Sequence, residues 1–134
     1  MKQQSGFTLI ELVVVIVLLG ILGAAATAKF QDLSTEANDA AAQGVAAEIS
    51  SASAINYAKS AVGSTAAASI SNSTTCSETD GDLESLMAQG GFPAAITIGT
   101  KAGDCNDGPG DSFTCQVQSN GTAAAVATLL CTSS

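Results

Sequence analysis

The chain opens with an apolar stretch that contains one carboxylate. From Phe7 to about Ala28 nearly every residue is apolar or small, and the single charged side chain there is Glu11. About 22 residues, rising 1.5 Å each as a helix, suffice to cross the hydrocarbon core of a bilayer. A helix that is apolar on every face is typical of exposure to lipid or burial in a bundle. A carboxylate inside such a stretch is costly, which makes Glu11 a candidate functional residue.

After Ala28 the apolar residues recur every three or four positions, which predicts an amphipathic continuation of the same helix. These positions are Phe30, Leu33, Ala37, Ala41, Val45, Ile49, Ala52 and Ile55. No proline interrupts the pattern, so the simplest prediction is one helix from about Phe7 to Lys59. Such a helix would be roughly 80 Å long. It is too long for a small domain, and its first half must pack against something other than its own head.

The second half of the chain predicts a small head with short elements. Residues 63–75 are small and polar, as in an exposed connection. Thr79 or Asp80 can cap a short helix over residues 82–87. This segment therefore connects the long helix to whatever sheet the remaining residues form.

Three short strands are predicted after the second helix, over residues 94–98, 112–118 and 123–131. The dipeptide Asn120-Gly121 predicts a tight hairpin, because both residues readily adopt the left-handed conformations that such a turn needs. The last strand is apolar on both faces, so we expect it to be central in the sheet or pressed on the helix. The predicted fold is α+β, with a long helix on a small antiparallel sheet.

The cysteines predict two disulfides. All four lie in the C-terminal half, without a CxxC pair, and the chain has no His to complete a zinc site; they are Cys76, Cys105, Cys115 and Cys131. An oxidising compartment is therefore expected. Strand pairing around Asn120-Gly121 places Cys131 near Gly110, which slightly favours Cys105–Cys131 with Cys76–Cys115. A Cys105–Cys115 bridge that closes the Asp/Gly-rich loop stays open as an alternative.

Charge and composition exclude several classes of function. The net charge is −8, and the lysines beyond the first six residues (Lys29, Lys59 and Lys101) are too scattered to form a basic stripe. Direct binding of nucleic acid is therefore not expected. The absence of His removes the commonest general base, and no nucleophile–base pair is recognisable. We predict neither an enzyme nor a bound cofactor.

The first residues carry a resemblance to a known family. Gly6-Phe7-Thr8-Leu9-Ile10-Glu11 resembles the class III signal of type IV pilins. The resemblance implies that a prepilin peptidase cuts after Gly6 and methylates the new amino terminus at Phe7. It also implies an inner-membrane precursor with its head in the periplasm, which pilus assembly machinery then polymerises with identical subunits into an extracellular filament.

The layout of the whole chain is similar to that of type IVa pilins. Residues 1–6 would be the leader, 7–28 the transmembrane and filament-core helix, 29–61 its amphipathic half, and 62–134 the head. Lys29-Phe30-Gln31-Asp32-Leu33 and Asn56-Tyr57-Ala58-Lys59 look most like pilins of the mannose-sensitive haemagglutinin type. Most relatives carry Pro where this chain has Ala28, so Gly20 and Gly23 would have to soften the helix here.

The resemblance suggests what Glu11 does. After cleavage Phe7 carries a positive amine, and pairing it with Glu11 repays part of the cost of holding both charges in an apolar environment. A pair between neighbouring subunits would set axial register, which the resemblance favours. An intramolecular pair is also feasible, because Glu11 lies one helical turn from Phe7.

Three functions follow as hypotheses. The first is a pilin subunit of a type IV pilus used for adhesion, motility or DNA uptake. The second is a pseudopilin of a type II secretion system, and the third is a minor pilin whose head is an adhesive binding module. The head contains few aromatic residues to build a binding patch, which disfavours the third.

Two features of the head remain for the structure to place. One Gly-rich loop contains four residues whose side-chain oxygens suggest calcium: Asp104, Asn106, Asp107 and Asp111. Their spacing does not match the EF-hand pattern. The preferred interpretation is therefore that they are solvated turn residues, and no metal site is predicted. Asn72-Ser73-Thr74 and Asn120-Gly121-Thr122 match the acceptor sequence for N-linked sugar.

Overall fold

A computed structural model describes residues 6–88 and 90–133, so all but the last residue of the predicted leader lies outside the described part. The elements are α1 (Leu9–Ala61), α2 (Gly81–Leu86), β1 (Ile96–Ala102), β2 (Ser112–Ser119) and β3 (Thr122–Leu130). The predicted α+β fold is confirmed, with the long helix packed on a three-stranded antiparallel sheet and two disulfides. The chain divides into two units, one that ends at Glu36 and one that begins at Ala37.

In the first unit, α1 leaves its large apolar side chains exposed. Exposed fractions range from 40% at Val13 to 81% at Leu9, and Phe30 and Leu33 are exposed by 71% and 57%. The helix runs without interruption through Gly20 and Gly23. One window of 18 residues is long and apolar enough to cross a membrane, and none of it is buried within the chain. Within the part of this unit that the structure describes, these side chains are therefore not packed into a core.

In the second unit, the sheet has the strand order β1-β2-β3, with β2 in the centre. Ser119 pairs with Thr122 across a two-residue loop. Asn120 and Gly121 in that loop have φ angles of +49° and +78°, as the predicted tight hairpin turn requires. β1 begins at Ile96 rather than at residue 94 and continues to Ala102 through a bulge at Thr100, whose φ is +42°.

The buried stripe of α1 differs from the predicted one. It consists of Ala42, Val45, Ala46, Ile49, Ser53 and Asn56. Val45 and Ile49 were expected on this face, but Ile55 is 59% exposed, and Phe30 and Leu33 are exposed as well. The prediction was wrong toward the helix end because hydrophobicity alone placed Ile55 inside. Near its end, the buried face of the helix carries the polar residues Ser53 and Asn56, which bond to neighbouring backbone.

Those polar side chains complete the edge of the sheet. The Ser53 hydroxyl accepts a hydrogen bond of 2.7 Å from the Leu130 N–H, and the Ser50 hydroxyl accepts one of 3.0 Å from the Thr128 N–H. β3 is therefore an edge strand pressed on the helix, and its alternative placement at the centre of the sheet was wrong. The serines of α1 thus accept hydrogen bonds from N–H groups of β3 that would otherwise need a fourth strand.

Asn56 holds the connection that leaves the helix. Its side-chain Nδ2 donates to the Ala68 carbonyl at 2.9 Å, and its Oδ1 accepts from the Ala68 N–H at 2.8 Å. The Asn56 amide therefore bonds to both the N–H and the carbonyl of one residue, as the backbone of a neighbouring strand would. The predicted exposed connection is thus anchored to α1 at one point and is half-buried there.

The opposite edge of the sheet is also occupied. On β1 the Ile98 N–H donates to Oε1 of Glu78 at 3.0 Å, and the Ile96 N–H donates to the Pro93 carbonyl at 2.9 Å. The bulge at Thr100 follows immediately. Both outer strands therefore carry backbone groups that bond to side chains or turns rather than to another strand.

The two disulfides close the head around its core. Cys76–Cys115 ties the connection to the central strand, and Cys105–Cys131 ties the β1–β2 loop to the residue after β3. Both are the pairs favoured from the sequence, and the alternative Cys105–Cys115 is not formed. Cys131 lies near Gly110 as expected, since the Gly110 N–H donates to the Cys131 carbonyl at 2.9 Å. The strand register itself shifts by one residue between Gln118 and Val117, which counting from the turn did not predict. All the bridging cysteines except Cys76 are buried among apolar side chains.

Asp80 starts the short second helix. Its carboxylate accepts hydrogen bonds from the N–H groups of Asp82 and Leu83 and from the N–H and hydroxyl of Thr75. Burial alone would raise the pKa of Asp80, but these hydrogen bonds stabilise the charged form and the pKa is lowered. Of the two cap residues expected, the structure selects Asp80.

Candidate functional site

The site predicted at the amino-terminal end of α1 begins with a helix cap. Thr8 precedes the first helical residue, Leu9, and its N–H donates to Oε2 of Glu11 at 2.8 Å. The Glu11 N–H in turn approaches the Thr8 hydroxyl at 3.4 Å. This reciprocal arrangement is a capping box, in which the cap residue and the residue three positions later satisfy each other's free N–H groups. Thr8 and Glu11 therefore form one unit.

The Glu11 carboxylate is held on the surface of an otherwise apolar helix. Oε2 also accepts the Thr8 hydroxyl at 2.7 Å. Around it lies an open cleft of about 380 Å³, lined by Phe7, Ile10, Glu11, Val14 and Val15. The capping bonds involve Oε2, and the side chain is exposed. The carboxylate can thus accept a further donor while it still caps the helix.

Phe7 and Gly6 lie outside the helix at its amino-terminal side. Phe7 is 86% exposed, and a Cβ built on Gly6 would meet nothing within 4 Å. The backbone between them is therefore open to an enzyme. A new amine at Phe7 would lie next to the capping box, at the positive end of the helix dipole, where a carboxylate is favourable and an ammonium is not.

Glu11 has no cationic neighbour along the apolar stretch. The next charged residues are Lys29 and Asp32, which form an exposed ion pair of 3.9 Å on the following part of the helix. Any cation that neutralises Glu11 within an apolar environment has to come from the chain's own terminus or from another molecule. The site can therefore take part in ionic pairing.

Comparison with known proteins gives a family match at the amino-terminal end of the chain, where this site lies. The family described as "Prokaryotic N-terminal methylation motif" matches residues 1–27. The chain is also 51% identical over 53 residues to "Type IV narrow pilus major component PilA5" of Thermus thermophilus. The chain is thus similar over part of its length to a type IV pilin, and its first residues match the methylation motif.

The similarity is confined to part of each protein. It covers 40% of this chain and 46% of the Thermus protein, so the chain spans less than half the length of the curated relative that it matches. No solved structure matches the chain.

The Asp/Gly-rich loop does not gather its acidic side chains. Over residues 6–88 and 90–133, no group of three or more His, Cys, Asp or Glu side chains is placed to hold a metal ion. The Asp111 carboxylate accepts a hydrogen bond of 2.8 Å from the Ser112 N–H. The side-chain Oδ1 of Asn106 accepts one of 3.0 Å from Nδ2 of Asn72. Asp104 and Asp107 are exposed. These residues serve local turns and loop contacts.

Thr8 is the residue of this site that reasoning from the sequence missed. The signal was present, because a Thr followed three positions later by Glu before an apolar run marks a capping box. The cost of a carboxylate in the apolar stretch drew attention to charge alone. The structure adds that Glu11 also begins the helix.

Proposed function

We propose that this protein is a structural subunit of a type IV pilus that polymerises through α1. The observation that carries the proposal is the single carboxylate of Glu11 in the apolar first part of α1, whose large apolar side chains are exposed in the part of the chain that the structure describes. A helix of this kind, repeated in many copies, can bury itself only against lipid or against other helices. A contact between different surfaces of identical subunits that does not close into a ring generates a helical filament.

Processing after Gly6 is the first step in this proposal. Prepilin peptidase would remove residues 1–6 and methylate the Phe7 amine. The exposure of both residues supports this, because neither is packed against the described residues, 6–88 and 90–133. The precursor would lie in the inner membrane with residues 7–28 spanning it and with the disulfide-bonded head in the periplasm, where disulfides are stable.

Glu11 would then set the axial register of the filament. The Phe7 amine of an incoming subunit pairs with the Glu11 carboxylate of a subunit already present, while Thr8 continues to hold Oε2. A buried pair is stabilising relative to either charge alone, so a misplaced subunit would leave two unpaired charges in an apolar environment. The small residues Gly20, Gly23 and Ala24–Ala26 would allow close approach of neighbouring helices.

The finer assignments follow the same proposal. The layout of helix, connection, sheet and disulfide-closed end favours the type IVa subclass, with inner-membrane assembly machinery as the partner. The filament would be extracellular and serve adhesion, motility or DNA uptake as a fibre rather than through a site on each head.

The direct test is the intact mass of filaments sheared from the cell surface. We expect loss of residues 1–6, one added methyl group located at Phe7, and four fewer hydrogens because of the two disulfides. A full-length subunit, or one cut after the apolar stretch, would overturn the proposal.

A second test separates the two roles of Glu11. Glu11→Gln keeps the capping box, since Gln also serves at this position, but removes the charge. Thr8→Val keeps the charge but removes the hydroxyl donor. We expect stable, membrane-bound subunit and few filaments from Glu11→Gln and Glu11→Val, and near-normal filaments from Thr8→Val. Wild-type filament numbers in both Glu11 variants would refute the pairing role.

A further inference from the structure

The two asparagines in acceptor sequences for N-linked sugar have different environments. Asn72 lies in the connection between α1 and α2, and Asn120 lies at the tip of the β2–β3 hairpin. An acceptor asparagine needs a free side-chain amide and a surface position. The sequence cannot distinguish them, but the structure does.

The side chain of Asn72 is already used on both of its polar atoms. Its Oδ1 accepts the Cys105 N–H at 2.6 Å, and its Nδ2 donates to Oδ1 of Asn106 at 3.0 Å. These two bonds join the connection to the β1–β2 loop next to a disulfide. A sugar on Nδ2 would break that junction.

The backbone and the hydroxyl of the same acceptor sequence are also held. Nζ of Lys101 donates to the carbonyls of Asn72 and Thr74 at 3.0 and 3.2 Å, and it lies 4.2 Å from the centre of the Phe113 ring. The Thr74 hydroxyl accepts the Ser71 N–H at 3.1 Å, and Thr74 is only 1% exposed. The hydroxyl that completes the acceptor sequence is therefore inaccessible.

Asn120 and Thr122 are open by comparison. Asn72 is itself exposed but its Thr74 is buried, whereas Asn120 and Thr122 are both exposed, as is the intervening Gly121. A Cβ built on Gly121 would meet nothing within 4 Å. The hairpin tip therefore has room on its surface for a bulky group, and it presents the amide and the hydroxyl without any rearrangement of the head.

We propose that Asn120, and not Asn72, is an acceptor for N-linked oligosaccharide on the folded head. The co-reactant is a polyprenyl-diphosphate-linked oligosaccharide, used by a transferase in the compartment that holds the head. Nδ2 of Asn120 forms a bond to C1 of the first sugar as the bond from C1 to the diphosphate oxygen breaks. One proton leaves Nδ2 for a base on the transferase, and polyprenyl diphosphate departs. The proposal needs export of the head but not polymerisation, so it can fail or succeed independently of the proposed function.

The test uses the full chain, exported with its disulfides formed, and an N-oligosaccharyltransferase that requires only Asn-x-Ser/Thr. Glycopeptides are quantified by mass spectrometry for the folded chain and for the same chain after reduction and unfolding. In the folded chain we expect the occupancy of Asn120 to exceed that of Asn72 by about tenfold or more, because freeing the Asn72 amide and the buried Thr74 hydroxyl requires breaking formed hydrogen bonds. In the unfolded chain both should accept sugar.

Matched variants complete the test. Thr122→Ala should abolish modification of Asn120, while Thr97→Ala, an exposed threonine outside any acceptor sequence, should leave it unchanged. Equal occupancy at the two asparagines of the folded chain, or no sugar at Asn120 in either state, would overturn the proposal.

Discussion

The Leu130 N–H donates a hydrogen bond of 2.7 Å to the Ser53 hydroxyl, so a helix side chain completes the edge of β3. Ser53 is fully buried. This contact and its neighbour at Ser50 are what the sheet has in place of a fourth strand on this side.

Replacing Ser53 with Ala should destabilise the head. The substitution leaves the Leu130 N–H without its acceptor, and an unsatisfied buried donor costs about 1–3 kcal/mol. Urea unfolding of the wild type and the variant measures the difference. Ser51→Ala is the matched control, since its exposed hydroxyl bonds only to the Glu48 carbonyl of the same helix, and its effect should be within about 0.5 kcal/mol. Equal effects of the two substitutions would contradict the role given to Ser53.

Asn56→Ala should free the connection from the helix. Both amide atoms of Asn56 bond to the backbone of Ala68, so the change leaves the Ala68 N–H without its acceptor at a half-buried position, while the Ala68 carbonyl keeps the bond from the Thr132 hydroxyl. We expect a loss of about 1–3 kcal/mol in unfolding free energy. Limited proteolysis should also cut residues 63–70 faster. Gln43→Ala, exposed on the same helix, should change neither quantity. Unchanged cleavage in Asn56→Ala would show that other contacts hold the connection.

The cap at Asp80 predicts a dependence of stability on pH. Its folded-state pKa is lowered from 3.8, so the charged carboxylate adds stability that is full above 3.8 and is lost as pH falls through the lowered value. Asp80→Ala should cost about 1 kcal/mol at pH 7. The difference from wild type should shrink as the pH is lowered below 3.8. Acid titrations of the unfolding midpoint measure this, with the exposed Asp104→Ala as control. A difference that is independent of pH would contradict it.

Gly20→Ala together with Gly23→Ala tests whether the helix softens during assembly. A Cβ at either position would meet nothing within 4 Å, so each change should stabilise the helix by roughly 1 kcal/mol without a clash. If assembly requires partial melting, filament numbers should fall. Gly44→Ala is the control, because Gly44 has equally open surroundings beyond the apolar stretch. Normal filament numbers, or fully protected helical amides over residues 18–27 in wild-type filaments, would dismiss softening.

The features that the sequence predicted correctly depend on local chemistry. Asn120-Gly121 forms a tight hairpin, and the two strands that it joins bring Cys131 next to Gly110 and within reach of Cys105, despite a shift of one residue in their register. The long apolar stretch likewise predicts a helix from its own residues, without reference to the rest of the chain. In each case the signal and the structure lie within a few residues of each other, or follow from counting along paired strands.

The features that the sequence did not predict depend on distant partners. Ser53 and Asn56 are buried because backbone groups of β3 and of the connection lie opposite them, which hydrophobic periodicity cannot register. Ile55 is exposed, because Ser53 and Asn56 occupy the face of the helix that packs on the head. The start of β1 moved to Ile96 because its N–H bonds to the Pro93 carbonyl and closes a turn over residues that were expected in the strand.

The blocked edges of the sheet have a consequence for any crowded state of this chain. Unpaired edge strands are templates for cross-β aggregation, and crowding of identical chains favours it. Here Ser50, Ser53 and Glu78 occupy edge amides of β3 and β1, and the bulge at Thr100 distorts the ladder beyond them. If copies of this chain wait in a membrane before assembly, as the proposed function requires, these contacts would protect them from amyloid-like association through the sheet.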